Sequence, residues 1–270
     1  MTITTRDGII AALGGNFDRI LFDKASVTTT AGTFQSLWQA TGVPVAGATP
    51  TTAAVCTKAL TGSLDFANQT APSTSYIDWL WATFGNANTG IEIHDRLAHM
   101  GGLSGTVTTA QGALDLVSLA PAAARIGASD YSDMQWWLEI YTALGATGVN
   151  ATVNVTYNDG TTGNVAAIAL GATPRAGRMY QILPNVGGKW IRAVNSVTLS
   201  ATTGTAGNFG ITATRQRVVA ASAVANMPVT YDWAMLGHTE VVNDSCLFMI
   251  MPCSTTSSGT VRAQGKITHG

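Results

Sequence analysis

Apolar and polar residues alternate most clearly in the stretch between Tyr131 and Val218. In residues 134–141 methionine, tryptophan, leucine and isoleucine occupy the even positions, and residues 149–157 place valine, alanine or tyrosine at every odd position. Side chains two residues apart in a strand share a face, so both segments are predicted to be strands with a distinct apolar face. The turn sequence Asn158–Gly160 accepts positive φ angles and predicts a hairpin after the second strand. The pattern therefore indicates antiparallel β-structure.

Further strand-like segments occur over the rest of the chain. They are residues 76–84, 90–97, 165–170, 178–183, 194–200, 209–219, 247–251 and 260–268. With the turn-rich connections between them, they predict about eight to ten strands and a mainly β fold, an antiparallel β-sandwich of jelly-roll type. Residues 5–14 are predicted to form a short helix. No regular alternation of strands and helices occurs, which argues against a doubly wound α/β fold.

The N-terminal part of the chain has a different character from the rest. Residues 44–53 contain two prolines, a glycine and several threonines, a composition typical of extended chain. We interpret residues 1–72 as an N-terminal arm or peripheral segment and residues 73–270 as the sandwich domain. An arm of this kind would reach a neighbouring subunit, and we expect the sandwich to fold without residues 1–60.

Composition limits the classes of partner. Only 11% of the residues are charged, under half the usual share, and the net charge is −1. The basic residues are scattered, so no nucleic-acid partner is predicted, and no apolar run is long enough to predict a membrane span. So few charges favour a surface that is buried in an assembly, although a Thr-rich secreted sandwich would share this composition. The three cysteines are predicted to be free buried thiols.

One charged cluster is a candidate for chemistry. His94, Asp95, Arg96 and His99 lie close together in sequence, but a metal site or a His–Asp catalytic pair would need a further partner, and the two histidines are predicted on opposite strand faces. We interpret the cluster as ion pairs at an edge or an interface. Ser104 lacks the glycine two residues later that a nucleophile elbow requires. No catalytic, metal-binding or cofactor-binding residue is predicted, and the chain is not expected to be an enzyme.

Tryptophan is concentrated at two places in the sequence. Trp79 and Trp81 share strand parity, and Trp136 and Trp137 are adjacent. Core or subunit-interface packing is the favoured interpretation, and a sugar-binding platform is the alternative. The predicted interface residues are Trp79, Trp81, His94, Arg96, His99, Trp136 and Trp137.

Several segments, taken together, resemble structural proteins encoded among the virion genes of tailed bacteriophages. These segments are His94–Gln111, Trp136–Thr147, Ser196–Gly210, Asp244–Leu247 and Cys253–Thr260. The similarity spans roughly residues 75–268. It implies a particle component of the virion, assembled in the bacterial cytoplasm, and it implies no catalytic residues or cofactor.

The resemblance and the composition together predict a capsid decoration (cement) protein. Such a protein forms a homo-oligomer, expected to be a trimer, and its partner is the phage major capsid protein. Two alternatives remain open at this point. One is a tail, neck or baseplate component of the same particle, and the other is a receptor- or carbohydrate-binding β-sandwich module.

Overall fold

The computed structural model describes residues 2–270, which form three short helices and eighteen strands. Helix α1 (Arg6–Gly15) begins where the Thr5 side chain accepts a hydrogen bond from the Gly8 amide at 3.1 Å, which satisfies one of the free N–H groups of the first turn. The other helices are α2 (Leu116–Leu119) and α3 (Ala123–Ile126). The prediction of a mainly β, antiparallel fold with short helices is confirmed.

The strands are β1 (Phe17–Lys24), β2 (Thr33–Ser36), β3 (Gly42–Val43), β4 (Ala54–Val55), β5 (Ser75–Phe84), β6 (Thr89–Leu103), β7 (Leu114–Asp115), β8 (Met134–Thr142), β9 (Val149–Tyr157), β10 (Thr162–Asn164), β11 (Ile168–Gly171), β12 (Arg178–Ile182), β13 (Ile191–Leu199), β14 (Asn208–Ser222), β15 (Val229–Asp232), β16 (Thr239–Val241), β17 (Leu247–Cys253) and β18 (Val261–His269).

Six of the strands close into a ring at the centre of the molecule, which we call the central ring. Its order is β6, β14, β8, β12, β2 and β17, and β17 pairs back onto β6. The long strands β6 and β14 pair along their whole length, with register shifts that bend them around the ring. Closure leaves these six strands with an inward face that is shielded from water, in addition to an outward face.

Two further sheets pack on opposite parts of the ring's outer surface. The five-stranded sheet has the order β10-β9-β13-β7, with β11 also on β9, and the six-stranded sheet has the order β15-β5-β18-β1-β3, with β16 also on β5. One apolar core, which includes Trp136, Phe209 and Val153, lies between the ring and the five-stranded sheet. A second core, which includes Phe22, Leu80 and Met249, lies between the ring and the six-stranded sheet. The structure thus contains two sandwiches, each formed by the central ring and one of the outer sheets.

The first residues of the chain are built into these sheets rather than extended as a free arm. Strand β1 lies between β18 and β3, and β2 lies between β12 and β17. The reason is local alternation, because Ile20 and Phe22 point into the core while Leu21 points outward. Only the part from about residue 44 to 72 is largely irregular chain. The domain boundary at residue 72 stays a prediction.

Three further observations concern residues 2–270. All three cysteines are free and buried, as predicted. No helix in this range has the length and apolar character to cross a bilayer. No cluster of three or more His, Cys, Asp or Glu side chains in this range could hold a metal ion.

Candidate binding face

Five of the seven predicted interface residues lie inside the protein. The exposed fraction is at most 8% for each of His94, Arg96, His99, Trp136 and Trp137. These side chains come from β6 and β8, which are paired on both edges and covered on both faces. They therefore cannot contact a second molecule, and the structure places them in the interior instead of at an interface.

The inward face of the central ring holds an ion pair surrounded by aromatic rings. Arg96 contacts the Glu139 carboxylate at 2.8 Å, and its Nε donates to His99 Nδ1 at 3.1 Å. The Tyr141 hydroxyl and the Trp38 ring also contact the guanidinium, the ring centroid at 4.7 Å. Arg96 and His99 are on the same side of β6 because a register shift beside residues 96–98 interrupts the alternation. His94 packs against Trp137 and Phe248 inside the same ring, so the prediction that the two histidines lie on opposite faces is wrong.

Burial and charge fix the protonation states in this ring interior. Burial alone would raise the pKa of the Glu139 carboxyl, but the adjacent Arg96 guanidinium and hydrogen bonds hold that pKa below its usual value. Burial, and then the positive charge of Arg96, lower the pKa of His99 to about 3. At neutral pH the pair is ionised and His99 is neutral. The group is a buried ion pair, and among residues 2–270 the Nη1 atom of Arg96 has no hydrogen-bond partner.

Asp95 belongs to a separate ion pair on the other side of β6. Its carboxylate accepts two hydrogen bonds from Arg125, at 2.9 and 2.6 Å, and further ones from Ser245 Oγ and the Cys246 amide. His94 instead contacts Glu92 at 2.8 Å. The cluster that is contiguous in sequence is thus divided between two faces, and it forms no His–Asp catalytic pair.

The two adjacent tryptophans of β8 also point to opposite faces of the strand. Trp136 donates its indole N–H to the Ile191 carbonyl at 2.8 Å in the core beside the five-stranded sheet. Trp137 donates to Thr214 Oγ1 at 3.0 Å inside the ring. Neither indole ring is accessible for stacking on a sugar, so these two tryptophans cannot form the sugar-binding platform of the alternative interpretation.

Trp79 and Trp81 remain partly accessible, on the outer face of the six-stranded sheet. The ring covers the inner face of this sheet, and α1 packs against the outer face near Tyr76. We call the remainder of the outer face the open face. Its side chains are half-buried or exposed. They are Phe17, Arg19, Leu21 and Asp23 of β1, Trp79, Trp81 and Thr83 of β5, Thr230 and Asp232 of β15, and Arg262, Gln264 and Lys266 of β18.

A cleft of about 460 Å³ lies on the open face beside Trp79. Phe17, Arg19, Gln264 and Lys266 contribute to its walls. The ammonium of Lys266 lies 4.0 Å from the centroid of the Phe17 ring and donates a 2.6 Å hydrogen bond to the carbonyl of Leu13, near the end of α1. Sequence reasoning missed Phe17, Arg19 and Lys266, because the cleft depends on pairing between the first and last strands of the chain.

Comparisons with known proteins give little guidance. No family model matches this chain, and no curated protein matches it. Among solved structures, one of infectious bursal disease virus, Gx strain, shares 10% identity over 94% of this chain and 80% of its own, with a TM-score of 0.19. The VP2 subviral particle of the same virus shares 9% identity over 94% and 81%, with a TM-score of 0.17. Scores this low carry no argument about fold or function.

Proposed function

We propose that this chain is a structural protein of a virion, specifically a decoration (cement) protein that binds the assembled head shell of a tailed bacteriophage. The observation that carries the proposal is a surface with few charges and many exposed apolar side chains. Self-association, with a trimer as the expected size, and contact with the major capsid protein would cover that surface.

Charge on the surface is even scarcer than composition suggests. The chain has 14 basic and 15 acidic residues. Six of these charged side chains are buried within the protein, among them Lys24, Asp78 and the two ion pairs beside β6. A protein that remains monomeric in solution generally keeps more surface charge to prevent association. A subunit of a permanent assembly does not need this protection.

Large apolar side chains are exposed on several sides of the molecule. They are Ile10, Leu21, Val43, Val45, Val107, Val117, Leu183, Val186, Trp190, Val219, Val224, Met227 and Met235. Single exposed apolar residues are ordinary, but their spread over helices, loops and the strands β1, β3 and β14 suits a subunit with several neighbours. A lattice supplies such neighbours.

The proposed action requires no chemistry. A protein that binds the assembled shell and not its free subunits favours the assembled state by mass action. The buried ion pairs and the closed ring would supply a rigid body for this purpose. The resemblance of five segments to tailed-phage virion proteins adds support from the sequence.

Shell binding can be tested with purified protein and head shells from which it has been stripped. Light scattering should show an oligomer before mixing, and the shells should regain bound protein and melt at a higher temperature. The variants Val45→Glu, Leu183→Glu and Met235→Glu place a charge at exposed apolar sites, and Thr162→Glu is the matched control at an exposed polar site. We expect at least one of the three to lose shell binding or self-association while the control keeps both. Unchanged behaviour of all three would contradict the argument from the surface.

A tail, neck or baseplate component of the same particle is the second candidate, because the surface argument applies to any particle lattice. The receptor- or carbohydrate-binding module is less well supported as the main function, since Trp136 and Trp137 are buried. Trp79 and Trp81 alone still fit it.

A further inference from the structure

The cleft on the open face contains two positive charges that no carboxylate neutralises. Arg19 of β1 and Lys266 of β18 lie directly opposite each other in the antiparallel register. Like charges at directly opposed positions destabilise a sheet. Within residues 2–270, no Asp or Glu oxygen lies within 4.0 Å of either side chain. The fold therefore places two cations at opposed positions without a carboxylate partner, although the Lys266 ammonium also contacts the Leu13 carbonyl and the Phe17 ring.

A neighbouring cross-strand pair on the same two strands shows the usual arrangement. Asp23 and Arg262 are also opposite each other, and they form an ion pair at 3.1 Å. The same sheet thus pairs opposite charges at one position and like charges four residues away along β1. An anion bound between Arg19 and Lys266 would remove the repulsion.

The cations lie in one row with a tryptophan. Lys266 is opposite Arg19 on one side and opposite Trp79 on the other, so the three side chains cross three adjacent strands on one face. Adjacent strands are about 4.8 Å apart, which puts Trp79 roughly 10 Å from Arg19 along the row. Gln264 follows Lys266 on the same face and adds an amide donor and acceptor. The row combines a flat apolar ring, hydrogen-bonding groups and two positive charges.

We propose that this cleft binds a carboxylated sugar residue of an acidic polysaccharide. The apolar face of the sugar ring stacks on Trp79, Gln264 hydrogen-bonds its hydroxyl groups, and the carboxylate lies between Lys266 and Arg19. A small inorganic anion would use the two cations but not Trp79, and a neutral sugar would use Trp79 but leave the cations uncompensated. The site goes beyond the proposed shell-binding function and does not depend on it.

Binding can be measured by titration calorimetry with trigalacturonate as the acidic probe and maltotriose as the neutral one, on the intact chain. We expect trigalacturonate to bind and maltotriose to bind at least about tenfold more weakly, a difference of about 1.4 kcal/mol. Added salt should weaken trigalacturonate binding because the carboxylate contacts are exposed. No detectable binding of trigalacturonate at millimolar concentration would overturn the proposal and would leave shell binding unaffected.

Variants separate the sugar contact from the charge contact. Arg19→Gln and Trp79→Ala should each weaken trigalacturonate binding by about tenfold or more. The matched control Arg262→Gln removes a cation from the same face and strand layer, but one that is already paired with Asp23, so its affinity should equal that of the wild type. Without probe, Arg19→Gln should keep or raise the melting temperature, since it relieves repulsion. Full displacement of the probe by equimolar inorganic sulfate, together with unchanged affinity in Trp79→Ala, would instead show a simple anion site and contradict the proposal.

Discussion

The ion pair inside the central ring gives the sharpest prediction about stability. The substitution Glu139→Gln keeps the shape of the side chain and one of its two acceptor atoms, but it removes the charge that faces Arg96 at 2.8 Å. Both side chains are at most 1% exposed, so water cannot replace the lost partner. Leaving one charge of a buried pair uncompensated costs about 3–5 kcal/mol, a large part of the usual stability of a domain. We expect Glu139→Gln to lower the free energy of unfolding by this amount.

Urea unfolding followed by tryptophan fluorescence measures the effect directly, because Trp38 and Trp137 lie close to the ring interior. The control is Asp23→Asn, which breaks the exposed pair with Arg262 and should cost at most about 1 kcal/mol. Adding Arg96→Met to Glu139→Gln removes the uncompensated charge, so the double variant should be more stable than Glu139→Gln alone. Equal, small losses for Glu139→Gln and Asp23→Asn would refute the view that this pair is a shielded structural element.

Three further predictions follow from local features. A Cβ at Gly210 would lie 1.7 Å from the carbonyl oxygen of Met100, so Gly210→Ala should destabilise the ring by several kcal/mol, whereas Gly14→Ala, which meets nothing within 4 Å, should be neutral or stabilising by up to about 1 kcal/mol in thermal unfolding. The pKa of His99 is lowered to about 3, so as the pH falls the unfolded chain takes up a proton on this residue before the folded protein does. The free energy of unfolding in urea should therefore decline from about pH 6.5 towards pH 3, by at most about 1.4 kcal/mol per pH unit. The variant His99→Gln should flatten that decline. Deletion of residues 1–60 should unfold the protein, contrary to the expectation from sequence, because it removes β1 and β2 from their sheets; a cooperative thermal transition of the truncated chain would show otherwise.

Local alternation predicted individual strands well and their surroundings poorly. The pattern of residues 134–141 matches β8 (Met134–Thr142), and that of residues 149–157 matches β9. The same alternation puts Glu139 and Tyr141 on the face opposite the apolar one, which in a sandwich strand is usually near solvent. Both side chains are buried because the ring closes over that face. Closure depends on the pairing of β6 with β14, two strands that are more than a hundred residues apart in the sequence. Periodicity shows which residues share a face of a strand, but it does not show whether that face contacts solvent or another part of the protein.

The candidate site could not be predicted from the sequence, because it too depends on pairing between strands that are far apart in the chain. Trp79 is a predicted interface residue, and its position on an accessible face keeps it a candidate. Arg19 and Lys266 are neighbours only because the first strand pairs with the last, and the weak alternation of residues 17–24 gave no sign of this partner. The interpretation of residues 1–72 as an arm assigns no sheet partner to β1. Arg19 and Lys266 can be placed side by side only when the pairing of β1 with β18 is known.

The central claim is that the chain is a component of a virion head, and the most direct test is its copy number in purified particles. If a tailed phage encodes this chain, as proposed, quantitative mass spectrometry of its purified virions gives the ratio of the chain to the major capsid protein. We expect a ratio close to that of a protein that covers the whole shell. A ratio that is a small fraction of the shell protein's would indicate a tail or neck component, and absence of the chain from the particles would contradict the claim.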